Sequence, residues 1–290
     1  MTAVPPTPAG PARPGGEPAG EPLVSVRDLT VRYGERTVSA VPVLDLHPGE
    51  CVAVVGESGS GKSTLLMALL GLLAGTGARV DGVARVRGTD ILRADERTAS
   101  ALRGSAISLV LQSPQGSLNP TMRLGRLMRL ALRRHGVRGA QADDRVAEAL
   151  RAVRLPPEIA RRYPHEVSGG QAQRFAIATA VALRAPVIAA DEPTSALDVT
   201  VQAEVMAVLD RLRREQGTAV LLVSHDLALV STVADRILVM QAGTVVDQGD
   251  VEHVLHRSTV PYTRELIDAV PRLGRRGSAA GTGAEEGQDV

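Results

Sequence analysis

One stretch constrains this chain more than any other: Gly56-Glu57-Ser58-Gly59-Ser60-Gly61-Lys62-Ser63-Thr64. It fits G-x-x-x-x-G-K-[ST], the pattern of a loop that wraps phosphates. Lys62 is the only lysine in the chain, and every other one of the 33 basic residues is arginine. A compact ammonium on a flexible stem reaches phosphate oxygens from beneath a tight loop, where a wide planar guanidinium does not fit. The chain therefore departs from its arginine habit at the one place where a loop would grip phosphate.

The flanks supply what such a loop needs. Upstream, Cys51-Val52-Ala53-Val54-Val55 is an unbroken apolar run, which predicts a parallel strand buried on both faces. Downstream, the leucine-rich residues 62–74 predict a helix. Strand, glycine loop and helix aim backbone N–H groups and the positive end of a helix dipole at one anion. In this pattern the hydroxyl of Ser63 goes to the Mg²⁺ that bridges the phosphates.

With 44% apolar residues over 290 positions the chain has ample material for a core, in one large domain or two. Three Tyr, one Phe and no Trp make that core aliphatic. A formal charge of +1 gives no electrostatic reason to expect nucleic acid or an anionic surface as partner. The single cysteine, Cys51, excludes an internal disulfide and a multi-cysteine metal site, and fits a reducing cytoplasm. The longest strongly apolar segment, residues 65–74, falls short of the ~20 residues that span a bilayer, and no signal-peptide pattern opens the chain. Any membrane connection is expected through a partner.

Residues 1–22 are rich in Pro, Gly and Ala and are expected to be a disordered leader, as is the tail 274–290. Residues 23–33 and 37–46 predict strands, and Asp81-Gly82 carries a hairpin signal, so the first part reads as an antiparallel β unit. A short helix over 95–102 leads to an apolar strand over 106–111, which Gln112-Ser113-Pro114 ends. Residues 120–162 carry apolar positions at helical spacing and predict a helical insertion, its arginines on a solvated face. Helices follow over 170–183 and 198–215, alternating with apolar strands at 187–190 and 219–223. Strands alternating with helices imply a parallel sheet with crossovers, whose carboxyl edges gather Gly56, Gln112, Asp191 and His225 around one crevice.

Five motifs occur in an informative order: the phosphate loop, Gln112, Val167-Ser168-Gly169-Gly170-Gln171, the apolar run ending at Asp191-Glu192, and Ser224-His225. This order resembles the ATPase subunit of ABC transporters, from about residue 23 to 271. Val167 stands where leucine is usual before Ser-Gly-Gly-Gln. The resemblance implies an α/β P-loop fold of residues 23–249, with an antiparallel β subdomain and an α-helical subdomain over about 113–168. It also implies roles. Tyr33 stacks on adenine; Gly56, Ser58, Gly59, Ser60, Gly61, Lys62, Ser63, Thr64 and Gln112 bind the nucleotide. Ser63 and Gln112, with Asp191 through water, hold Mg²⁺. Glu192 polarises the attacking water and His225 contacts the γ-phosphate. Ser168, Gly169, Gly170 and Gln171 reach the ATP of an opposite subunit, and the loop with Ser195 and Asp198 crosses that interface. Asp198 is also a simple helix cap.

Two stretches narrow the resemblance. Gln112-Ser113-Pro114-Gln115-Gly116-Ser117-Leu118-Asn119-Pro120 is similar to a segment of peptide and nickel importers, with Ser113 where aspartate is common. Val254 to Arg257 and Pro261 to Leu266 resemble the C-terminal extension of that subfamily, here residues 250–273, with Val260 where histidine is usual. The extension lacks the cysteine cluster of some members. His253 and His256 lack a third ligand nearby and read as surface residues.

The expectation is an ATP-hydrolysing subunit, using ATP and Mg²⁺, that energises import of oligopeptides, dipeptides or nickel (free or chelated). It would work at the cytoplasmic face of the membrane with two transmembrane permeases and a second ABC ATPase subunit, identical or related, fed indirectly by an extracytoplasmic solute-binding protein. Nucleic acid is not expected. The alternative is a soluble ABC ATPase acting as a nucleotide switch in DNA repair or translation, which usually carries two cassettes or a long coiled-coil insertion. This chain shows one cassette and a short insertion.

Overall fold

The structure, a computed structural model, describes residues 20–269. Strands β1 (Val24–Tyr33) and β2 (Arg36–Leu46) form a hairpin, and β3 (Cys51–Val55) runs through the glycine loop into helix α1 (Lys62–Leu69). Then come β4 (Arg79–Val86), β5 (Thr89–Asp90), α2 (Glu96–Leu102) and β6 (Ile107–Val110). Helices α3 (Pro114–Ser117), α4 (Leu124–Arg134), α5 (Gly139–Ala152) and α6 (Gly169–Leu183) follow. The chain continues through β7 (Val187–Asp191), α7 (Val199–Gln216), β8 (Ala219–Ser224), α8 (Leu227–Ser231), β9 (Arg236–Gln241), β10 (Thr244–Asp250) and α9 (Pro261–Asp268).

The strands form one mixed sheet in the order β5-β4-β1-β2-β10-β9-β3-β8-β7-β6. From β9 to β6 the neighbours are parallel; β1, β2, β4 and β5 are antiparallel, as the β-rich first part implies. The two halves meet at one parallel bridge between Thr244 and Ala40. The apolar strand runs are explained by burial on both faces. Cys51, Ala53 and Val55 point into the core shared with Phe175 of α6 and Leu209 of α7. Val52 and Val54 point the other way, against Leu65 and Leu69 of α1. A strand with no polar face is stable only between two covered layers.

Three sequence expectations change. Asp81-Gly82 is not a hairpin turn: β4 runs straight through it, and the pairing with β1 slips between Arg27 and Thr30. Gly82 (φ 98°) lies against Asp28, where a Cβ would stand 2.4 Å from the Asp28 carbonyl oxygen, so the glycine serves a bulge. The predicted helix over 62–74 stops at Leu69, and Gly71 (φ 64°) turns the chain away beside Ile91 and Ala99. Strands β9 and β10 and helix α8 are additions that the sequence reading lacks. The expected leader lies outside the described residues except for its last three positions, and the expected tail lies wholly outside them. Among the described residues no helix is long and apolar enough to cross a membrane.

Candidate active site

The parallel register puts the ends of four strands side by side. Val55 pairs with Ser224, Asp191 with Val223, and Val110 with Ala190. The residues just beyond these ends therefore meet at one edge of the sheet.

The glycine loop leaves β3 with almost no clearance. A Cβ on Gly56 would stand 2.1 Å from the Met240 carbonyl oxygen, and one on Gly61 would stand 2.1 Å from that of Val38. Any side chain at either position would push the loop off β9 or β2. Ser58 and Gly59 are exposed, Ser60, Gly61 and Lys62 are buried, and Ser63 and Thr64 are half-buried. Gly61 caps α1 without a side-chain hydrogen bond, and the first turn of α1 carries no acid. Its N–H groups and dipole thus face the loop without an internal acceptor, the arrangement that suits an external anion.

Lys62 Nζ lies under the loop and donates to the carbonyls of Gly56 (2.8 Å) and Glu57 (2.7 Å). Burial holds its pKa below the usual lysine value; the carboxylates of Glu192, Asp191 and Glu57 act against that shift. Ser63 Oγ donates to Asp191 Oδ1 at 3.0 Å, tying the start of α1 to the end of β7. Burial raises the pKa of Asp191; the Ser63 hydrogen bond opposes this and Glu192 adds to it.

Glu192 is the centre of the cluster. Its backbone N–H donates to Val223 at 2.9 Å, prolonging the sheet by one residue, and its φ of 44° then turns it into the left-handed region. A non-glycine residue there costs on the order of 1–3 kcal/mol, which the surrounding fold must hold. One carboxylate oxygen, Oε2, accepts from Gln112 Nε2 at 3.2 Å and lies 3.3 Å from His225 Nδ1. His225 is carried on a fixed turn: the Asp226 N–H donates to Ser224 Oγ at 3.0 Å, and Asp226 Oδ1 caps α8 through the Leu229 N–H. Lys62, Ser63, Gln112, Asp191, Glu192 and His225 are thus linked at one sheet edge.

Other sequence candidates stand apart. Ser168 caps α6, accepting from the Gln171 N–H at 3.3 Å while Gln171 Oε1 accepts from the Ser168 N–H at 3.1 Å. Among the described residues no hydrogen bond joins Ser168, Gly169, Gly170 or Gln171 to the carboxylate cluster. Gly170 packs so closely on α7 that a Cβ would stand 2.3 Å from Val201 Cγ1. Asp198 caps α7 through the Val201 N–H at 3.0 Å, and Ser195 Oγ donates to the Glu192 carbonyl at 3.3 Å. Tyr33 is 40% exposed at the end of β1, its hydroxyl 3.2 Å from Thr76 Oγ1. His253 and His256 belong to no cluster of three or more metal-ligating side chains among the described residues.

Two glutamines escape the sequence reading. Buried Gln173 of α6 donates to the Leu111 carbonyl at 3.1 Å, and Gln115 of α3 donates to the Val167 carbonyl at 3.2 Å. Together they bind the residues flanking Gln112 to the segment that presents Ser168. Gln173 had a weak signal, a polar residue in the stretch 172–183, whose other polar residues are Arg174 and Thr179.

Known proteins share the sequence and fold of this chain. The family described as ABC transporter matches residues 42–195. The oligopeptide transport ATP-binding protein OppD of Salmonella typhimurium is 43% identical over 263 residues, spanning 88% of this chain and 78% of that protein. A putative peptide import ATP-binding protein of Brucella melitensis is 42% identical over 262 residues, spanning 87% of this chain and 78% of that one. Among solved structures, the dimeric ATP-binding cassette MJ0796 in a post-hydrolysis state with ADP and Pi superposes with a TM-score of 0.69 at 30% identity, covering 79% of this chain and 98% of the other. The phosphate loop, the mixed sheet and these relatives converge: the chain belongs to the ABC transporter family and is one of its ATP-binding-cassette ATPases.

Proposed function

We propose that this chain energises the import of peptides by hydrolysing ATP at the Lys62–Glu192 cluster. The observation that carries the reading is the Glu192 carboxylate, shared by Gln112 and His225 beside the Ser63–Asp191 pair. Phosphoryl transfer to water needs positioning and charge compensation more than covalent chemistry. In this reading Glu192 orients and polarises the attacking water, His225 holds the γ-phosphate end, and Lys62, held beneath the loop by the Gly56 carbonyl, turns its remaining N–H donors to the β- and γ-phosphates. Tyr33 takes the adenine face. Ser63, Asp191 and Gln112 form an all-oxygen set suited to Mg²⁺, a hard cation. Bound there, Mg²⁺ would neutralise charge on the phosphate oxygens.

The Ser168 to Gln171 turn opens α6 and, among the described residues, makes no hydrogen bond to the carboxylate cluster of its own chain, which supports a role on the ATP of a second subunit. Ser195 and Asp198 then line the joint between the two. The helical segment 113–168 is rooted at Gln112, and a groove of about 300 Å³ lies at that root, lined by Leu72, Arg103, Leu111, Leu118 and Ala180 among others. Leu72 and Leu111 are 44% and 41% exposed there, an apolar surface for a helix of one permease, the second of the two permeases docking on the second ATPase subunit. The chain would thereby sit on the membrane through those permeases, with an extracytoplasmic binding protein delivering the peptide. The relatives' names favour peptides as cargo over nickel.

The test is uptake of a radiolabelled tripeptide by cells lacking this chain. Wild-type protein restores uptake and Lys62→Ala does not; uptake that is unaffected by loss of the chain defeats the proposal.

A further inference from the structure

The segment after β10 returns to the phosphate loop. Asp247 Oδ2 accepts from Thr263 Oγ1 at 2.9 Å and from the hydroxyl of Ser258, and Arg264 Nε donates to the Ser258 carbonyl at 2.9 Å. Ser258 and Thr263 are fully or nearly fully buried, so the start of α9 is pinned to β10 at two points. Between those points Tyr262, only 6% exposed, places its hydroxyl 3.0 Å from the backbone nitrogen of Glu57, which donates to it.

The N–H of Glu57 and the carbonyl of Gly56 belong to one peptide unit. That unit is planar and trans, so its two polar groups point in opposite directions and turn together. The carbonyl accepts from Lys62 Nζ at 2.8 Å while the N–H donates to Tyr262 at 3.0 Å. Glycine at position 56 leaves this plane easier to rotate than any other residue would. The sheet contact at Met240 demands that glycine, so a constraint on the plane has to come from elsewhere.

We propose that Tyr262 is a positioning residue for Lys62: its hydroxyl fixes the Gly56–Glu57 peptide plane and thereby holds the loop in its phosphate-binding form. The proposal rests on the reading of the loop as the ATP site. It makes the C-terminal segment a support for nucleotide affinity in the same chain, and separates the hydroxyl of Tyr262 from the packing of its ring.

The test titrates the full chain with a fluorescent N-methylanthraniloyl ATP in the presence of Mg²⁺ and follows the Glu57 amide by NMR with ¹⁵N-glutamate. Tyr262→Phe keeps the ring and is expected to weaken binding about three- to tenfold, the scale of one lost hydrogen bond, and to speed hydrogen exchange at the Glu57 amide. Asp247→Ala, which frees the start of α9 without touching the loop, should move both readings the same way, and decides the matter if Tyr262→Phe does not fold. Unchanged affinity or unchanged exchange at Glu57 overturns the proposal. If Lys62→Ala binds as tightly as wild type, the loop reading itself fails, and the proposal with it.

Discussion

His225 Nδ1 lies 3.3 Å from Glu192 Oε2, so the histidine after β8 and the acid after β7 are partners across adjacent strands. Because Gln112 reaches the same oxygen, the carboxylate is oriented from two sides. Removing one side should cost turnover more than binding. His225→Ala is expected to lower kcat about 100-fold or more, within the range for loss of a positioned polar group in a transition state, with nucleotide affinity nearly unchanged. Steady-state phosphate release and equilibrium titration check the two halves.

Asp191 gives a stability effect opposite in sign to its effect on activity. Burial, with Glu192 adding to it, raises its pKa above the ordinary value despite the Ser63 hydrogen bond. A carboxyl whose folded-state pKa exceeds its unfolded one costs stability as pH rises from the unfolded through the folded pKa, and the cost is complete once the pH lies above the folded-state value. Asp191→Asn keeps the shape and removes the charge. It is expected to raise Tm by a few degrees at pH 7 in the absence of nucleotide, to lose that advantage at acid pH, and to abolish Mg²⁺-dependent turnover. Thermal melts at both pH values measure it.

Cys51 should be inert until the chain unfolds. The residue is 2% exposed, and burial first, then the charge of Asp235, push the thiol's pKa up to about 12. The thiolate is the reactive form. A disulfide reagent at pH 8 is expected to leave native protein unmodified and to react fully in denaturant, which makes Cys51 a reporter of global unfolding.

Gly170 has a packing duty beside any contact with a second subunit. A Cβ there would stand 2.3 Å from Val201 Cγ1, and a branched side chain on a helix has little room to yield. Gly170→Ala is expected to destabilise the chain by about 1–3 kcal/mol, the usual cost of overpacking. Urea denaturation measures this independently of ATP turnover.

The legible parts of this fold are those written in short-range pattern. β3, β7 and β8 are continuous apolar runs because both faces are covered, and the glycine loop announces the turn between β3 and α1. β10 was not legible because most of its residues are only partly buried, and its turn from β9 uses Ala242 and Gly243 in place of an Asn-Gly or Asp-Gly pair. Asp81-Gly82 misled because a bulge and a hairpin ask for the same glycine conformation. In the site, motif order marked Lys62, Asp191, Glu192 and His225. The contact of Tyr262 with Glu57 spans 205 residues of sequence, and no local pattern encodes such a pairing.

Glu192→Gln tests the central claim most directly, since it keeps the side chain's size and removes the carboxylate that Gln112 and His225 orient. Titration with ATP and Mg²⁺ should show affinity at or above wild type, and phosphate release should fall about 100-fold or more. Retained hydrolysis in this variant would contradict the assignment of Glu192 as the group that polarises the attacking water.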